Sequence, residues 1–509
     1  MKPVHEELSP TLPGFFPDPS ICCAGEDYFL TTSSFEYFPG LPLFHSRDLQ
    51  HWTPIGHILN RPSQLPLRDA WISGGIYAPT LRYRDGTFYC ITTNTAAPHE
   101  THRRNFFVTT ENPCGDWSEP VWIDGMPGID PDLFWDSDNT CYAQWSWKQP
   151  GQPAEEICIA QAAIDLKTGK LLEAPRTLWN GTGGLGPEGP HLYLKDGVYY
   201  LCIAEGGTEY GHMQTLARSR SVRGPFEPCP HNPVLTHRSL PTAVHAVGHC
   251  DLVEGANGQW LGVCHGIRPQ GYHHFHVLGR ETFLFPVQWK EDGWPVFGDD
   301  GKLPAHALGP PIETTFEDTF ETEDWPLEWN ALRETHAGDF QRSGDGCLRF
   351  SGGAPLHCFG ERVTWRGTRQ RDHSFRLEID LEPIDPGDGG GLTVFQNPSY
   401  HACLGIRRAD HTMEGFTRLQ LGELILEDAF PLVAAQAQPS NPPLSLIVEA
   451  EPLAYHFIIR VASVEKRVRT FDARLMSTEF GGRFTGVYLA LFAEGASTFA
   501  CTRLRYGPR

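Results

Sequence analysis

One phrase, a tight turn followed by a strand that soon reaches an aromatic residue, occurs five times in the first half of the sequence. It reads GEDYFLTTSS from Gly25, DGTFYCITTN from Asp85, SDNTCYAQWS from Ser137, DGVYYLCIAE from Asp196 and NGQWLGVCHG from Asn257, with starts 52 to 61 residues apart. Asp85-Gly86, Asp196-Gly197 and Asn257-Gly258 are dipeptides that type I′ hairpins select, because both central residues take positive φ. Ahead of each turn stands a short strand-like segment: DPSICC at Asp18, APTLRY at Ala78, DPDLFW at Asp130, EGPHLYL at Glu188 and HCDLVE at His249. Edge-like segments ending in an aromatic, such as HSRDLQHW from His45 to Trp52, follow several of the hairpins. A fixed period of this length means one supersecondary unit repeated, and roughly four short strands per unit is a propeller blade. Residues 1–305 are therefore expected to form a five-bladed β-propeller. An unrelated series of hairpins would explain the turns but not the period.

The repeat stops around LPAHALGPPIETTFED (Leu303 to Asp318), where Pro and Gly gather before a new start. Beyond it, LQLGELILE (Leu419 to Glu427), LSLIVEA (Leu444 to Ala450), YHFIIRVA (Tyr455 to Ala462) and GVYLALFAEG (Gly486 to Gly495) have strand composition with partial alternation. Helical periodicity is weak throughout, so residues 316–509 are expected to form a jelly-roll-like β-sandwich and the chain to be all-β. With 12% aromatic and only 20% charged residues, the composition excludes a disordered chain.

The 62 acidic against 41 basic groups give a net charge of −21. A phosphate backbone is bound chiefly through Lys and Arg, so nucleic acid is excluded as a partner. Neutral substrates such as sugars suit an acidic cleft. No apolar run reaches the roughly 18 residues of a membrane span. The start, MKPVHEELSPTLPGFFPDPS, lacks a basic region followed by an apolar core; the expectation is a cytoplasmic protein, or a secreted one if a leader has been removed. The 14 Cys show no CxxC pair and no zinc-finger spacing, which favours buried free thiols in a reducing compartment.

Aligned on the start of the first strand, the repeats superpose Asp18, Ala78, Asp130, Glu188 and His249. First strands line the axis of a propeller, so these positions form a ring, and three of its five members are carboxylic acids. Converging carboxylates suit glycoside hydrolysis: one acid protonates the departing oxygen, and a second carboxylate activates water or attacks the sugar. A third carboxylate would raise the pKa of the acid by like-charge repulsion. Three carboxylates are also hard-metal ligands. The neighbouring aromatics Phe35, Trp71, Tyr77, Trp145 and Trp147 favour sugar over metal, since apolar sugar faces stack on rings. Glu205 and Glu209 lie near the fourth repeat but off the ring. HETH (His99 to His102) falls one residue short of the HExxH zinc pattern, and YHHFH (Tyr272 to His276) is expected on a strand.

GFFPDPS (Gly14 to Ser20), TTSSFEYFPGLPLFHSRDL (Thr31 to Leu49), SGGIYAPTLRY (Ser73 to Tyr83), GIDPDLFWD (Gly128 to Asp136), EGPHLY (Glu188 to Tyr193), AEGGTEYGH (Ala204 to His212), GHCDLVE (Gly248 to Glu254) and LGRETFLFPVQW (Leu278 to Trp289) closely resemble glycoside hydrolase family 43. Within it they look like the two-domain β-xylosidase and α-L-arabinofuranosidase branch. The resemblance implies a propeller enzyme that inverts the anomeric centre, with a C-terminal sandwich packing on it and helping to close the pocket. It implies Asp18 as general base, Glu188 as general acid and Asp130 as the group that orients the acid and tunes its pKa. It further implies Arg280, Phe35 and Tyr77 in the sugar pocket, with Tyr77 standing where many β-xylosidases carry Trp; Trp145, one of the aromatics beside the ring positions, is expected to bind substrate with them. His249 resembles the central histidine that contacts a water or a calcium ion beneath the substrate.

The expected activity is removal of terminal pentoses from xylooligosaccharides by a β-D-xylosidase. The enzymatic alternative is an α-L-arabinofuranosidase acting on arabinoxylan or arabinan side chains. A non-catalytic sugar-binding propeller would keep the aromatics without needing Asp18, Asp130 and Glu188 together. No cofactor is expected to be required, and a structural calcium in the channel near His249 is the one metal the resemblance allows.

Overall fold

A computed structural model describes residues 8–96, 104–148, 156–306, 308–336, 338–409, 412–432 and 444–509. The chain separates into two compact units, one of residues 1–268 with 280–312, the other of residues 269–279 with 313–509.

The first unit is a propeller of five antiparallel blades. The inner strands are Ser20–Ala24, Thr80–Arg84, Ile129–Trp135, Glu188–Lys195 and His245–Glu254. They adjoin one another in sequence order, and the fifth returns to the first. Each blade continues outward through strands met in chain order, as in the fourth blade with Val198–Glu205, Met213–Ser219 and Glu227–Pro228. The turns follow the local chemistry. Asp85 and Gly86 have φ of 50° and 86°, and Asp196 and Gly197 have 51° and 73°, the type I′ pattern. Asn257-Gly258 departs from it. Only Gly258 has positive φ there, and the loop closes through Gly258 N to Gly255 O and Gly255 N to Gln259 O. Apolar residues of neighbouring blades interleave, as where Leu192, Leu201 and Ile203 pack with Phe134, Tyr142 and Ile159; burial of such side chains is the main favourable contribution to folding.

The second unit is a β-sandwich. One sheet has the strand order Phe340–Arg342, Leu348–Ser351, Thr498–Gly507, Phe375–Asp385, Leu444–Glu451, Ala454–Val461 and Val464–Asp472. The other runs Asn330–Leu332, Thr364–Arg369, Tyr488–Glu494, Gly389–Asn397, Tyr400–Ala409, Thr412–Leu421 and Leu424–Pro431. Leu377, Ile379, Leu446 and Val448 from the first meet Leu392, Val394, Leu404 and Leu491 from the second in one core. The segment Leu419 to Glu427 is a hairpin rather than one strand, because it reverses at Gly422 (φ 62°).

Residues 269–279, which join two strands of the fifth blade, belong to the sandwich unit. Val277 and Leu278 enter its core, and Val487 N donates to Val277 O at 2.8 Å. The phrase YHHFH is a turn, not a strand: His273 and His274 have φ of 72° and 59°, and Gln270 N donates to Phe275 O. HETH lies outside the described residues. All 14 cysteines are free thiols, and no helix of the described residues is long and apolar enough to cross a membrane.

Candidate active site

The inner strands do not enter the axis smoothly. Asp18, Asp130, Gly189 and His249 have φ of 52°, 56°, 54° and 54°, a left-handed conformation that costs a non-glycine residue about 1–2 kcal/mol. In blades three, four and five the ladder register slips across these residues, between Ile129 and Asp132, Glu188 and His191, and Gly248 and Asp251. Such bulges re-aim side chains and recur beside active sites. Pro19, Pro131 and Pro190 follow the first three left-handed residues, and a proline asks nothing of the interrupted ladder because it has no N–H.

The register corrects the alignment in one blade. Ile129, Glu188 and Gly248 occupy equivalent ladder positions, opposite Ser146, Ala204 and His265. The left-handed position of blade four is thus Gly189, and Glu188 stands one residue before it. A Cβ at Gly189 would lie 2.9 Å from His249 Cε1, so the close approach of the two inner strands excludes a side chain.

The predicted residues come together at the axis. Asp18 Oδ1 accepts from Arg280 Nη1 and lies 3.1 Å from His265 Nδ1 and 3.9 Å from His249 Nδ1. Asp18 Oδ2 accepts from Ser33 Oγ at 2.6 Å, and Gly189 N donates to Asp130 Oδ2 at 3.3 Å. The Arg280 guanidinium lies 5.7 Å from the Phe35 ring centroid, and the Phe35 and Tyr77 rings are 5.1 Å apart. Arg280 does not pair with Glu281, whose carboxylate takes Arg268 instead. His249, His265 and His212 form a stack, with neighbouring centroids 5.5 and 4.9 Å apart. Trp145 is wholly buried and packs in the apolar core of the third blade.

Burial opposes the charge on Asp18, but the Arg280 guanidinium, the His265 hydrogen bond and the His249 ring outweigh it and hold the carboxyl well below the usual range. Burial, followed by the charges of Glu188 and Asp18, raises Asp130. Burial and the Asp18 charge lift Glu188 to about 7, against a smaller pull from Arg280. Burial lowers His249 to about 3 and His265 to about 4, so both rings are neutral at pH 7. The channel therefore holds an ionised carboxylate and, in the Asp130–Glu188 pair, a retained proton.

Two family profiles match the chain in tandem: Glycosyl hydrolases family 43 over residues 8–295, and the Beta xylosidase C-terminal Concanavalin A-like domain over residues 317–502. A β-xylosidase of Bacillus subtilis is 39% identical over 96% of both chains, and a non-reducing end α-L-arabinofuranosidase of Bacteroides ovatus is 37% identical over 96% of this chain and 91% of its own. The chain belongs to glycoside hydrolase family 43. Among solved structures, the Bacteroides ovatus xyloglucan-locus GH43B superposes with a TM-score of 0.90 at 35% identity, covering 99% of this chain and 100% of the other. A xylan β-1,4-xylosidase of Bacillus halodurans gives 0.90 at 31%, over 98% and 100%.

In this family 43 glycosidase, Asp18, His249 and His265 could each turn one atom towards a common point. That set does not fit calcium, which takes six to eight oxygens. Two of the three donors are imidazoles, and the lone carboxylate already carries the Arg280 cation. Two Asp18 partners, Ser33 and His265, escaped the sequence reading. His265 sits on a second strand and Ser33 just past the end of one, each two residues beyond the ladder positions Val263 and Thr31, which pair with Asp251 and Ser20. Extending the repeat alignment from first to second strands would have found them as polar residues at one shared position. Glu205 is buried and accepts from Thr182 N, Gly184 N and Thr215 Oγ1; Glu209 is exposed.

Proposed function

We propose that the protein is an exo-acting, inverting glycosidase that releases terminal pentoses, with xylooligosaccharides as substrates and β-D-xylosidase as its main activity. The observation that carries this reading is the opposed charge state of two carboxyls in one channel: Asp18 is held ionised by Arg280, while Glu188, lifted to about 7, keeps its proton near neutral pH. Environments that push two carboxyl pKa values apart mark the base and the acid of a hydrolase. Asp18 takes a proton from the attacking water, Glu188 gives one to the glycosidic oxygen, and the C–O bond breaks as the water oxygen bonds to the anomeric carbon from the opposite face. Asp130, itself raised by burial and by the charges of Glu188 and Asp18, shares the retained proton with Glu188. Arg280, Phe35 and Tyr77 hold the sugar; the reaction asks for no cofactor.

A weakly basic Asp18 is sufficient, because water attacks an oxocarbenium-like carbon that needs little help from a strong base. α-L-Arabinofuranosidase activity on arabinoxylo-oligosaccharides is the second reading, favoured by the activity named for the Bacteroides ovatus relative. Initial rates on xylobiose and on arabinose-substituted xylooligosaccharides separate the two. Proton NMR of the first product decides the stereochemistry: a β-xyloside should yield α-xylose first, and β-xylose first would overturn inversion.

A further inference from the structure

Two residues beyond the ring positions, the inner strands carry Ser20, Asp132, His191 and Asp251. Asp132 and Asp251 are fully buried. Between them reaches Arg82, from the inner strand of blade two. Its Nη1 donates to Asp251 Oδ2 at 2.8 Å, and its Nη2 lies 2.8 Å from Asp132 Oδ1 and 2.9 Å from His191 Nδ1. Each aspartate in turn grips a strand that carries a proposed catalytic group. Asp251 Oδ2 accepts from Ser20 Oγ at 2.6 Å and Ile21 N at 3.0 Å, two and three residues after Asp18. Asp132 Oδ2 accepts from Leu192 N at 3.1 Å, four residues after Glu188, while Gln144 Nε2 holds it at 2.6 Å. Asp251 Oδ1 also takes Tyr193 OH from the Glu188 strand at 2.7 Å.

We infer that Arg82 is a positioning residue: with Asp132 and Asp251 it forms an ionic hub that sets the spacing between the strand bearing Asp18 and the strand bearing Glu188. The inference rests on the proposed roles of those two groups. Inversion needs its carboxyls about 6.5–9.5 Å apart to admit one water, so strand spacing is itself a catalytic variable. A propeller has few hydrogen bonds between inner strands of different blades, and backbone pairing alone does not fix that distance. Two aspartates without a cation would leave like charges buried together, which is strongly unfavourable. A guanidinium answers both needs, because its planar fork bonds two carboxylates at once.

The test is Arg82→Lys, which keeps the charge but not the fork. The measurement is kcat/KM on the preferred natural disaccharide and on the matching 2,4-dinitrophenyl glycoside, with Glu188→Gln in parallel. A displaced acid hurts only the substrate whose leaving group needs a proton. Hence the natural-to-aryl ratio should fall by about tenfold or more in Arg82→Lys, and likewise in Asp132→Asn, which serves if the lysine variant does not fold. A ratio within about threefold of wild type in a folded variant, with both substrates slowed equally, overturns the inference. So does insolubility of both variants, which would confine the hub to folding. If Glu188→Gln itself leaves the ratio unchanged, the acid assignment fails instead, whatever Arg82 does.

Discussion

Replacing Glu188 by Gln removes the proton at issue with almost no change of shape. A positioned general acid contributes about 10² to 10⁴ in rate, or about 3 to 5 kcal/mol of barrier. The kcat on xylobiose should fall by that factor. A 2,4-dinitrophenyl xyloside, whose leaving group departs as a stable anion, should lose little. The pH profile adds a second readout. Because Glu188 must be protonated and titrates at about 7, wild-type activity on xylobiose should decline as pH rises through that value, and the limb should vanish from the residual activity of the variant on the aryl substrate. Stability gives a third. The fold raises Glu188 from its ordinary 4.5 to about 7, so its contribution is fully present below pH 4.5 and is lost as pH climbs through 7. The loss amounts to at most about 3 kcal/mol, less because the side chain is only partly buried. The glutamine variant should therefore gain on wild type in thermal unfolding at pH 8 and not at pH 4. Equal rate losses on both substrates would remove Glu188 from the acid role.

Three other perturbations probe the same site. Arg280→Gln takes the cation from Asp18 but leaves its burial, so the acidic limb of kcat/KM should move up by about one pH unit or more; an unmoved limb would mean that Asp18 is not the group titrating there. Gly189→Ala imposes a left-handed φ of 54° on a Cβ that would sit 2.9 Å from the His249 ring; a loss of about 1–3 kcal/mol in urea unfolding, with lowered activity, is the expected result, and a neutral substitution would contradict the close approach. Excess chelator should leave initial rates within about twofold, since the Asp18, His249 and His265 donors do not suit calcium; calcium-reversible inactivation would refute that.

What the sequence disclosed followed from where local chemistry is periodic. The hairpins at Asp85-Gly86 and Asp196-Gly197 announce themselves because few residues tolerate two successive positive φ values, and the spacing between them is that of two blades. The Asp-Pro pairs at Asp18 and Asp130 mark the left-handed residues where the inner strands meet the axis. In blade four the same mark is Gly189-Pro190, and aligning on the strand start rather than the proline placed Glu188 one residue off. Trp145 could not be placed by type: a tryptophan beside a ring position reads the same whether it faces sugar or, as here, the blade core. The segment 269–279 joins the sandwich through Val277 and Leu278, contacts distant in sequence that no period reveals. The Arg82 hub was hidden for the same reason, since it unites Asp132 and Asp251 across three blades.

The repeat builds similar backbone at successive blades, so chemistry must come from what breaks the symmetry. Asp18 and Asp130 share a φ within a few degrees, a following proline and deep burial, yet their pKa values move in opposite directions. Desolvation acts on both in the same sense and cannot separate them. The separation comes from Arg280, which abuts Asp18 and acts on Asp130 only as the last and smallest influence. With that cation spent on Asp18, the charge of Asp18 becomes the repulsive neighbour that raises Glu188. One arginine thus sets both ends of the proton transfer: it keeps the base ionised, and the ionised base keeps the acid protonated. Arg280→Gln should therefore shift two limbs of the pH profile upward, the acidic one as Asp18 loses its partner and the basic one because the direct pull of Arg280 on Glu188 is removed while Asp18, still ionised near pH 7, goes on repelling it. A profile in which only the acidic limb moved would show that Arg280 exerts no direct pull on Glu188.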